Sequence, residues 1–457
     1  MASKIKDMTK GSPAKLIFTF ALPLMLGNVF QQLYTVVDTA IVGRFVGVEA
    51  LASIGSADWP NWMILGIVTG FAQGFCILIS QRFGAGDADG MRRSVSHTYL
   101  MGLILGVLIT ILGQCIAEPL LKFLGTPAEV IDGSITYLRV CFSGILVIMA
   151  YNVFSSVLRA LGDSKSPLIA MIIAAAVNIV LDLVFVCIFH WGIAGAAIAT
   201  VIAQCMSALY CYLVIRRIEM LRLKKSDFAF DSVTAGQLLR LGAPMAFQNG
   251  IIAVGGFAVQ YVLNGFGTIY IAGYTATNKI YGLLELAAIS YGYSMATYAG
   301  QNLGAGRLDR IRKGMKAAAL MALGTSMVIS LLMFVFGKGI LSLFISGAPD
   351  VQEQVLRVAY TYLCVMASLL FILYFLHVYR SALQGMGDTV IPMVSGFLEL
   401  VMRVSVALTL SGLIGEYALY LAEPAAWTGA AVLLITGYYV RIHKLGKQQK
   451  ERRAKEN

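Results

Sequence analysis

Apolar runs of about 20 or more residues recur about twelve times along this chain of 457 residues, each long enough to cross a hydrocarbon core of roughly 30 Å. In lipid every backbone N–H and C=O must be satisfied within the spanning segment or by closed pairing, so such runs fold as helices. A transmembrane barrel would instead alternate polar and apolar residues in segments of roughly ten. Charged residues make up 13% of the chain and hydrophobic residues 58%, at a mean hydropathy of +0.77. Soluble domains carry about 25% charged residues, so the chain lies outside that class. The sequence predicts an all-α polytopic membrane protein with twelve transmembrane helices, the first over 16–40 and the last over 425–440.

The net charge of +11 is a matter of topology rather than of nucleic-acid binding. Sorted onto alternating sides of the predicted spans, 28 of the 35 Lys and Arg fall on the side of the termini and 5 on the other. That bias is the positive-inside pattern, which predicts both termini on the cytoplasmic side; the expected location is a bacterial inner (cell) membrane. The start, MASKIKDMTKGSPAK, reads as a cytoplasmic tail and not as a cleavable leader. The tail KLGKQQKERRAKEN is read as topogenic, and no nucleic-acid partner is expected.

The two halves repeat each other at an offset of about 220 to 225 residues. FGAGDADGMRRSV (83–95) answers LGAGRLDRIRKGM (303–315), RALGDSKSP (159–167) answers QGMGDTVIP (384–392), and ALPLM (21–25) answers GAPMA (242–246). Six spans per half place both halves in the membrane in the same orientation, a pseudo-two-fold parallel repeat of the kind that builds transporters. The expected organisation is an N-terminal six-helix bundle over 1–220, a charged cytoplasmic linker over 221–240, and a C-terminal six-helix bundle over 241–457 with a basic tail.

The two GAG-containing loops, the ALP opening of span 1, the VVDTAIVGRFVG segment and the GD turns after spans 4 and 10 resemble the multidrug and toxic compound extrusion (MATE) transporters. The resemblance covers residues 10 to 442, and its weight lies in the ordered set of motifs within a duplicated chain. It implies two six-helix bundles arranged as a V. It also implies secondary active antiport of organic, often cationic, compounds against Na⁺ or H⁺ by alternating access, with no other cofactor and a monomer as the working unit. The partners implied are organic cations or amphipathic drugs and the membrane lipid.

Acids at membrane depth cost roughly 2.5–3.5 kcal/mol each even on permissive insertion scales, so each calls for a role. Asp38, Asp182, Glu285 and Glu399 lie deep within predicted spans. In AAVNIVLDLVFV, Asn178 and Asp182 stand i,i+4 on one helical face and offer hard oxygen donors suited to Na⁺ or, after protonation, to H⁺. The plainer reading is hydrogen bonding between helices. In DinF-like members of the family the cation site comprises a span-1 Asp, a span-5 Asn and Asp, and a span-6 Thr, and the matching residues here are Asp38, Asn178, Asp182 and Thr200. Neutralising this pair of acids, by protonation or Na⁺, would change which packing of the lobe is stable and so release substrate outward. Gln31, Tyr34 and Asp38 share a helical face at i, i+3, i+7, and the resemblance makes that face, with Tyr137, Asn152 and Met171, the lining of an N-lobe drug cavity.

The C-terminal half breaks the pattern, with Arg403 opposite Asn178 and Ala407 opposite Asp182. Glu399 and Arg403, four apart in GFLELVMRV, are expected to neutralise each other, with a gating or substrate role as the alternative. Glu285 and Lys279 are six apart, too far for an ideal helical pair, and Glu285 is a further candidate for cation or substrate contact. His377, opposite Asn152, is expected to be polar packing or a lining residue of the C-lobe. NorM-like members carry acids in spans 7 and 10. Neither span has one here, which places the chain closer to the DinF-like branch.

Other chemistries find little support. The seven cysteines are scattered without CxxC spacing, the four histidines are isolated, and no GxxxxGK[ST] motif occurs, so neither an enzyme nor a nucleotide-driven pump is expected. The alternative within the same superfamily is a flippase for lipid-linked oligosaccharides or peptidoglycan precursors. The acids of spans 1 and 5 and the twelve-span count weigh against it.

Overall fold

The structure, a computed structural model, describes residues 5–345 and 348–456, which form fourteen α-helices and no strand. The N-terminal half contributes α1 (Pro13–Phe45), α2 (Val48–Gly84), α3 (Ala88–Phe123), α4 (Ala128–Ser143), α5 (Ile145–Ala160), α6 (Lys165–Asp182) and α7 (Gly192–Arg216). The C-terminal half contributes α8 (Ser232–Asn264), α9 (Thr268–Gly304), α10 (Leu308–Ser342), α11 (Pro349–Ser368), α12 (Leu370–Gly385), α13 (Val390–Ile414) and α14 (Tyr417–Glu456). Between α7 and α8 the chain makes two short 3-10 turns, Glu219–Leu221 and Lys225–Phe228.

Fourteen helices make twelve rods, because α4 and α5 meet at a 47° bend and α11 and α12 at a 50° bend. The first bend falls at Gly144, where an added Cβ would lie 2.5 Å from the Val201 side chain, so a side chain there would push α7 away. Eight of the described helices are long and apolar enough to span a bilayer, or ten with each bent pair counted once. The two remaining rods, α8 and α9, have 33 and 37 residues, length enough for a crossing. α9 carries Lys279 and Glu285 in its middle, which lowers its hydropathy.

The chain divides into two compact units, one of residues 1–8 and 22–250 and the other of 9–21 and 251–457. Each is assembled by the same scheme. In the first, α2 packs on α4 and α5, α3 on α5, α5 on α7, and α6 on α7. In the second, α9 packs on α11 and α12, α10 on α12, α12 on α14, and α13 on α14, every label advanced by seven. The GD turns repeat at the backbone level: Gly162 has φ 81° and Gly387 φ 78°, left-handed conformations that favour glycine.

Burial follows the logic of lipid. α10 exposes Leu320, Met327, Val328, Leu331 and Val335, while its covered face is small, with Gly314, Ala318, Ala322 and Ser326 at four-residue steps. Apolar side chains outward and small residues at the contact are what a bilayer solvent asks for, since hydrocarbon gives no incentive to bury leucine. In the first unit α2 and the start of α8 touch backbone to backbone: a Cβ on Gly74 would sit 2.3 Å from Gly242 Cα, and one on Gly70 2.5 Å from Ala246 Cα.

Candidate functional site

The N-terminal unit places α1 along α6 in a fixed register. A Cβ on Gly27 would meet Met171 Sδ at 2.7 Å and Leu168 Cα at 3.6 Å, so the two helices are close at that level. Eleven residues further along each helix, about 16 Å of rise, stand Asp38 and Asp182, whose carboxyl groups are neighbours. The face bearing Gln31, Tyr34 and Asp38 is therefore the one turned to α6, and Tyr34 lies against Gln31 and against Gln204 of α7.

Asn178 and Asp182 are fully buried. Asn178 Nδ2 donates to Thr200 Oγ1 at 3.4 Å, tying α6 to α7. That bond uses one of the two amide N–H groups and turns the amide oxygen, which has no donor upon it, away from Thr200. Asp38 Oδ1, Asn178 Oδ1 and both carboxylate oxygens of Asp182 are buried with no hydrogen-bond donor of the protein upon them. Four acceptor atoms gathered on two helices, α1 and α6, without a donor form a site for a positive species, since a buried acceptor left unmade costs roughly 1–3 kcal/mol and a charged one more.

The backbone changes at the same place. α6 ends at Asp182 and continues as a π-helical segment, Leu183–Ile188. Phe189 N–H donates to Val184 O and Trp191 N–H to Phe185 O, each at 2.9 Å. Phe185 and Trp191 stack with ring centroids 4.9 Å apart and close the widened turn. Single π turns inside helices recur at functional sites, where the wider turn re-aims a side chain. LVFVCI carries no sequence signal for it.

One to two turns along α1 from Asp38 is a cavity with room for about one water molecule, ≈ 10 Å³, lined by Gln31, Tyr34, Tyr151, Met171, Gln204 and Ser207 among others. Three of the five expected lining residues, Gln31, Tyr34 and Met171, stand around it. Tyr137 and Asn152 do not. Tyr137 packs among apolar residues of α2, α4 and α1. Asn152 donates to Ile148 O at 2.9 Å and its carbonyl faces the Thr69 hydroxyl at 3.5 Å, so its polar atoms are taken up.

In the C-terminal unit the expected Glu399–Arg403 ion pair does not form as such. Glu399 accepts from Arg380 of α12, and Arg403 donates to Glu423 of α14 at 2.8 Å. Each acid meets a guanidinium aimed at it from a neighbouring helix, and Glu399 stays within electrostatic reach of Arg403 without bonding it. Gly255 of α8 makes room for Arg403: a Cβ there would stand 2.5 Å from its Nη1. Glu285 of α9 meets His377 Nε2 at 3.1 Å, while Lys279 is exposed. Glu423 and Arg380 were not foreseen as partners. The twelfth span was expected from 425, but α14 begins at Tyr417 and carries Glu423 inside it.

Among the described residues no group of three or more His, Cys, Asp or Glu is placed to hold a metal ion. The acceptor set around Asp182 combines two carboxylates with amide and hydroxyl oxygens, which is the donor chemistry of a hard monovalent cation or a proton and not of a transition metal.

The MatE family model matches residues 23–184 and 244–409, one match in each half of the chain. The chain is 31% identical over 358 residues to "Probable multidrug resistance protein YpnP" of Bacillus subtilis (strain 168), covering 78% of this chain and 80% of that protein. It is 27% identical over 436 residues to "Probable multidrug resistance protein YoeA" of the same organism, covering 93% of each. Its fold matches a crystal structure of MATE in complex with MaL6 at a TM-score of 0.90, with 23% identity over 96% of this chain and 99% of that one. The chain belongs to the MatE family of multi-pass membrane transporters, whose members are not enzymes.

Proposed function

We propose that this protein is a secondary active multidrug exporter, in which entry of a proton or a sodium ion at Asp38, Asn178, Asp182 and Thr200 is exchanged for outward movement of organic compounds, cationic ones above all. The observation that carries the reading is the cluster of buried acceptor oxygens without donors, seated where α6 turns π-helical. An empty cluster of this kind repels itself: two neighbouring carboxylates cannot both remain charged at low cost. A bound H⁺ or Na⁺ removes that repulsion, and the packing of α1 against α6 and α7 that suits the neutral cluster need not suit the charged one.

Gln31, Tyr34 and Met171 gather on one side of the lobe, with Tyr34 within electrostatic reach of both acids, which supports a substrate position on that face, where aromatic faces and a thioether adapt to varied cations. The names of the Bacillus relatives support drug efflux as the activity. In this reading the protein works as a monomer in the bacterial inner membrane, with its termini in the cytoplasm, by the N-lobe mechanism of the DinF-like branch. Ethidium efflux from proteoliposomes under a proton gradient alone and a sodium gradient alone tests it: one gradient should drive efflux, and efflux under neither would refute it.

A further inference from the structure

We propose that the linker between α7 and α8 holds the headgroup of an anionic phospholipid in a cavity at the membrane surface, with Arg93, Lys224 and Ser226 as donors to its phosphate and Phe228 and Phe230 set into the lipid. The segment 219–231 is not a free connection. Ser96 of α3 donates its hydroxyl to the Asp227 carbonyl, and the Asp231 N–H donates to His97 Nε2 at 2.8 Å. The Phe230 ring lies against the His97 ring, with centroids 6.1 Å apart. Arg92, one turn earlier on α3, brings its Nε to 3.8 Å from Asp227 Oδ2.

Those contacts fix the depth of the linker. The first turns of α3, ADGMRRSV, are rich in polar residues, and its outward-facing apolar run begins at Leu103 and Ile104. Ser96 and His97 precede Leu103 by six or seven residues, about 9–11 Å of helix. The linker therefore lies at the edge of the hydrocarbon, at the level of the headgroups. Phe228 and Phe230 are 54% and 65% exposed there. Aromatic rings in that position bury their faces at the boundary between headgroups and acyl chains.

The cavity beside them, ≈ 340 Å³, has three acids, two bases, Ser226 and Phe230 in its wall. The acids are already engaged. Asp89 accepts from Arg92, and Asp227 Oδ2 accepts from the Lys224 N–H at 2.7 Å. Asp231 caps α8, accepting from the Val233 N–H at 3.0 Å and from the Thr234 hydroxyl at 2.6 Å. The bases are not engaged: Arg93 and Lys224 make no ion pair among the described residues. Arg93 lies within electrostatic reach of Asp87, whose own bonds go to Gly90 and Arg82.

The buried Arg92 Nε also has no acceptor upon it. The two stretches that bound the cavity, 81–93 and 216–231, together carry eight basic and five acidic residues. Two uncommitted cations, a hydroxyl and an aromatic wall at the membrane surface match a phosphate carried on acyl chains. A zwitterionic headgroup brings an ammonium to the same cations, so the net positive charge selects an anionic one.

Tryptophan fluorescence of full-length Phe230→Trp protein in nanodiscs, with the wild-type signal subtracted, reads this site. The lipid is an equal mixture of phosphatidylglycerol and phosphatidylcholine, with brominated acyl chains on one or the other in turn. Brominated phosphatidylglycerol should quench about twofold or more above brominated phosphatidylcholine. The preference should vanish in the Arg93→Gln, Lys224→Gln double variant. It should persist in Lys444→Gln, Lys447→Gln, which removes two charges from the C-terminal tail. Should the first double variant not fold, a tenfold rise in salt must erase the preference in the Phe230→Trp protein itself. Quenching by neither lipid places the ring in water and overturns the proposal. So does equal quenching by both, a preference that outlives both cations or the salt, or one lost equally in the tail variant. The outcome is separate from the drug-efflux reading, which rests on the acids of α1 and α6.

Discussion

Asn178 donates its side-chain amide to Thr200 across 3.4 Å, and that bond turns a potential partner of Asp182 into a fixed acceptor beside it. If the amide could rotate, its NH₂ would supply the donor that both Asp182 oxygens lack. Thr200→Val should release it. The predicted result is a Thr200→Val protein that folds and reaches the membrane but needs a higher driving-ion concentration for half-maximal efflux, by about tenfold if one hydrogen-bonded ligand worth about 1.4 kcal/mol is lost. Unchanged ion dependence would remove Thr200 from the site.

Gly74 should tolerate no side chain. Its nearest neighbours are backbone atoms of Leu241 and Gly242, which cannot swing aside as the end of a flexible side chain can. Gly74→Ala should cost about 1–3 kcal/mol, the range for overpacking, and lower the melting midpoint of the purified protein. Gly324→Ala, on α10 with open space around it, serves as the control and should be neutral or slightly stabilising.

The turn at Gly162 offers a second contrast. It combines φ +81° with a Cβ position 2.1 Å from the Lys6 carbonyl oxygen, so Gly162→Ala suffers both backbone strain and collision. Gly125 has φ +69° but open surroundings, so Gly125→Ala bears only the strain, about 1 kcal/mol. Chemical or thermal denaturation should rank Gly162→Ala well below Gly125→Ala. Equal losses would mean that the contact between residue 6 and the turn is not held.

Asp87 predicts a pH dependence outside the membrane. It caps α3 by accepting from Gly90 N–H at 2.8 Å and from Arg82 Nη1 at 2.8 Å, and the Gly90 bond above all holds its carboxyl below the ordinary value of 3.8. A depressed folded value means the stabilisation is present above pH 3.8 and is lost as pH falls through that lower value. Asp87→Ala should cost about 1 kcal/mol at neutral pH, the usual worth of an N-cap, since the half-exposed Arg82 pair adds little. The gap to wild type should close in strong acid; a gap that widens there would contradict the assignment.

How much of this was legible from the residues depends on the range of the interaction. Runs of apolar residues and the offset of the GAG and GD motifs report local helices and a duplicated chain, and both appear in the structure. Asn178 and Asp182 were readable because i,i+4 spacing is a property of one helix. Glu399 and Arg403 show where that logic fails, since Arg380 and Glu423 approach from other helices and the same spacing carries no information about them. His377 and Glu285 are 92 positions apart, a contact that only the packing of α12 on α9 creates. The π turn after Asp182 coincides with the stacking of Phe185 on Phe189 and Trp191, and six apolar residues in a row cannot announce it.

The central claim is that the acceptor cluster at Asp182 binds the driving ion. Ethidium efflux from proteoliposomes, with wild type, Asp38→Asn and Asp182→Asn reconstituted at equal amounts, measures this most directly. Gradient-driven efflux should fall at least tenfold in Asp182→Asn and Asp38→Asn, while ethidium binding to the detergent-purified protein persists. Wild-type efflux rates in both variants, under the same gradient, would contradict the account.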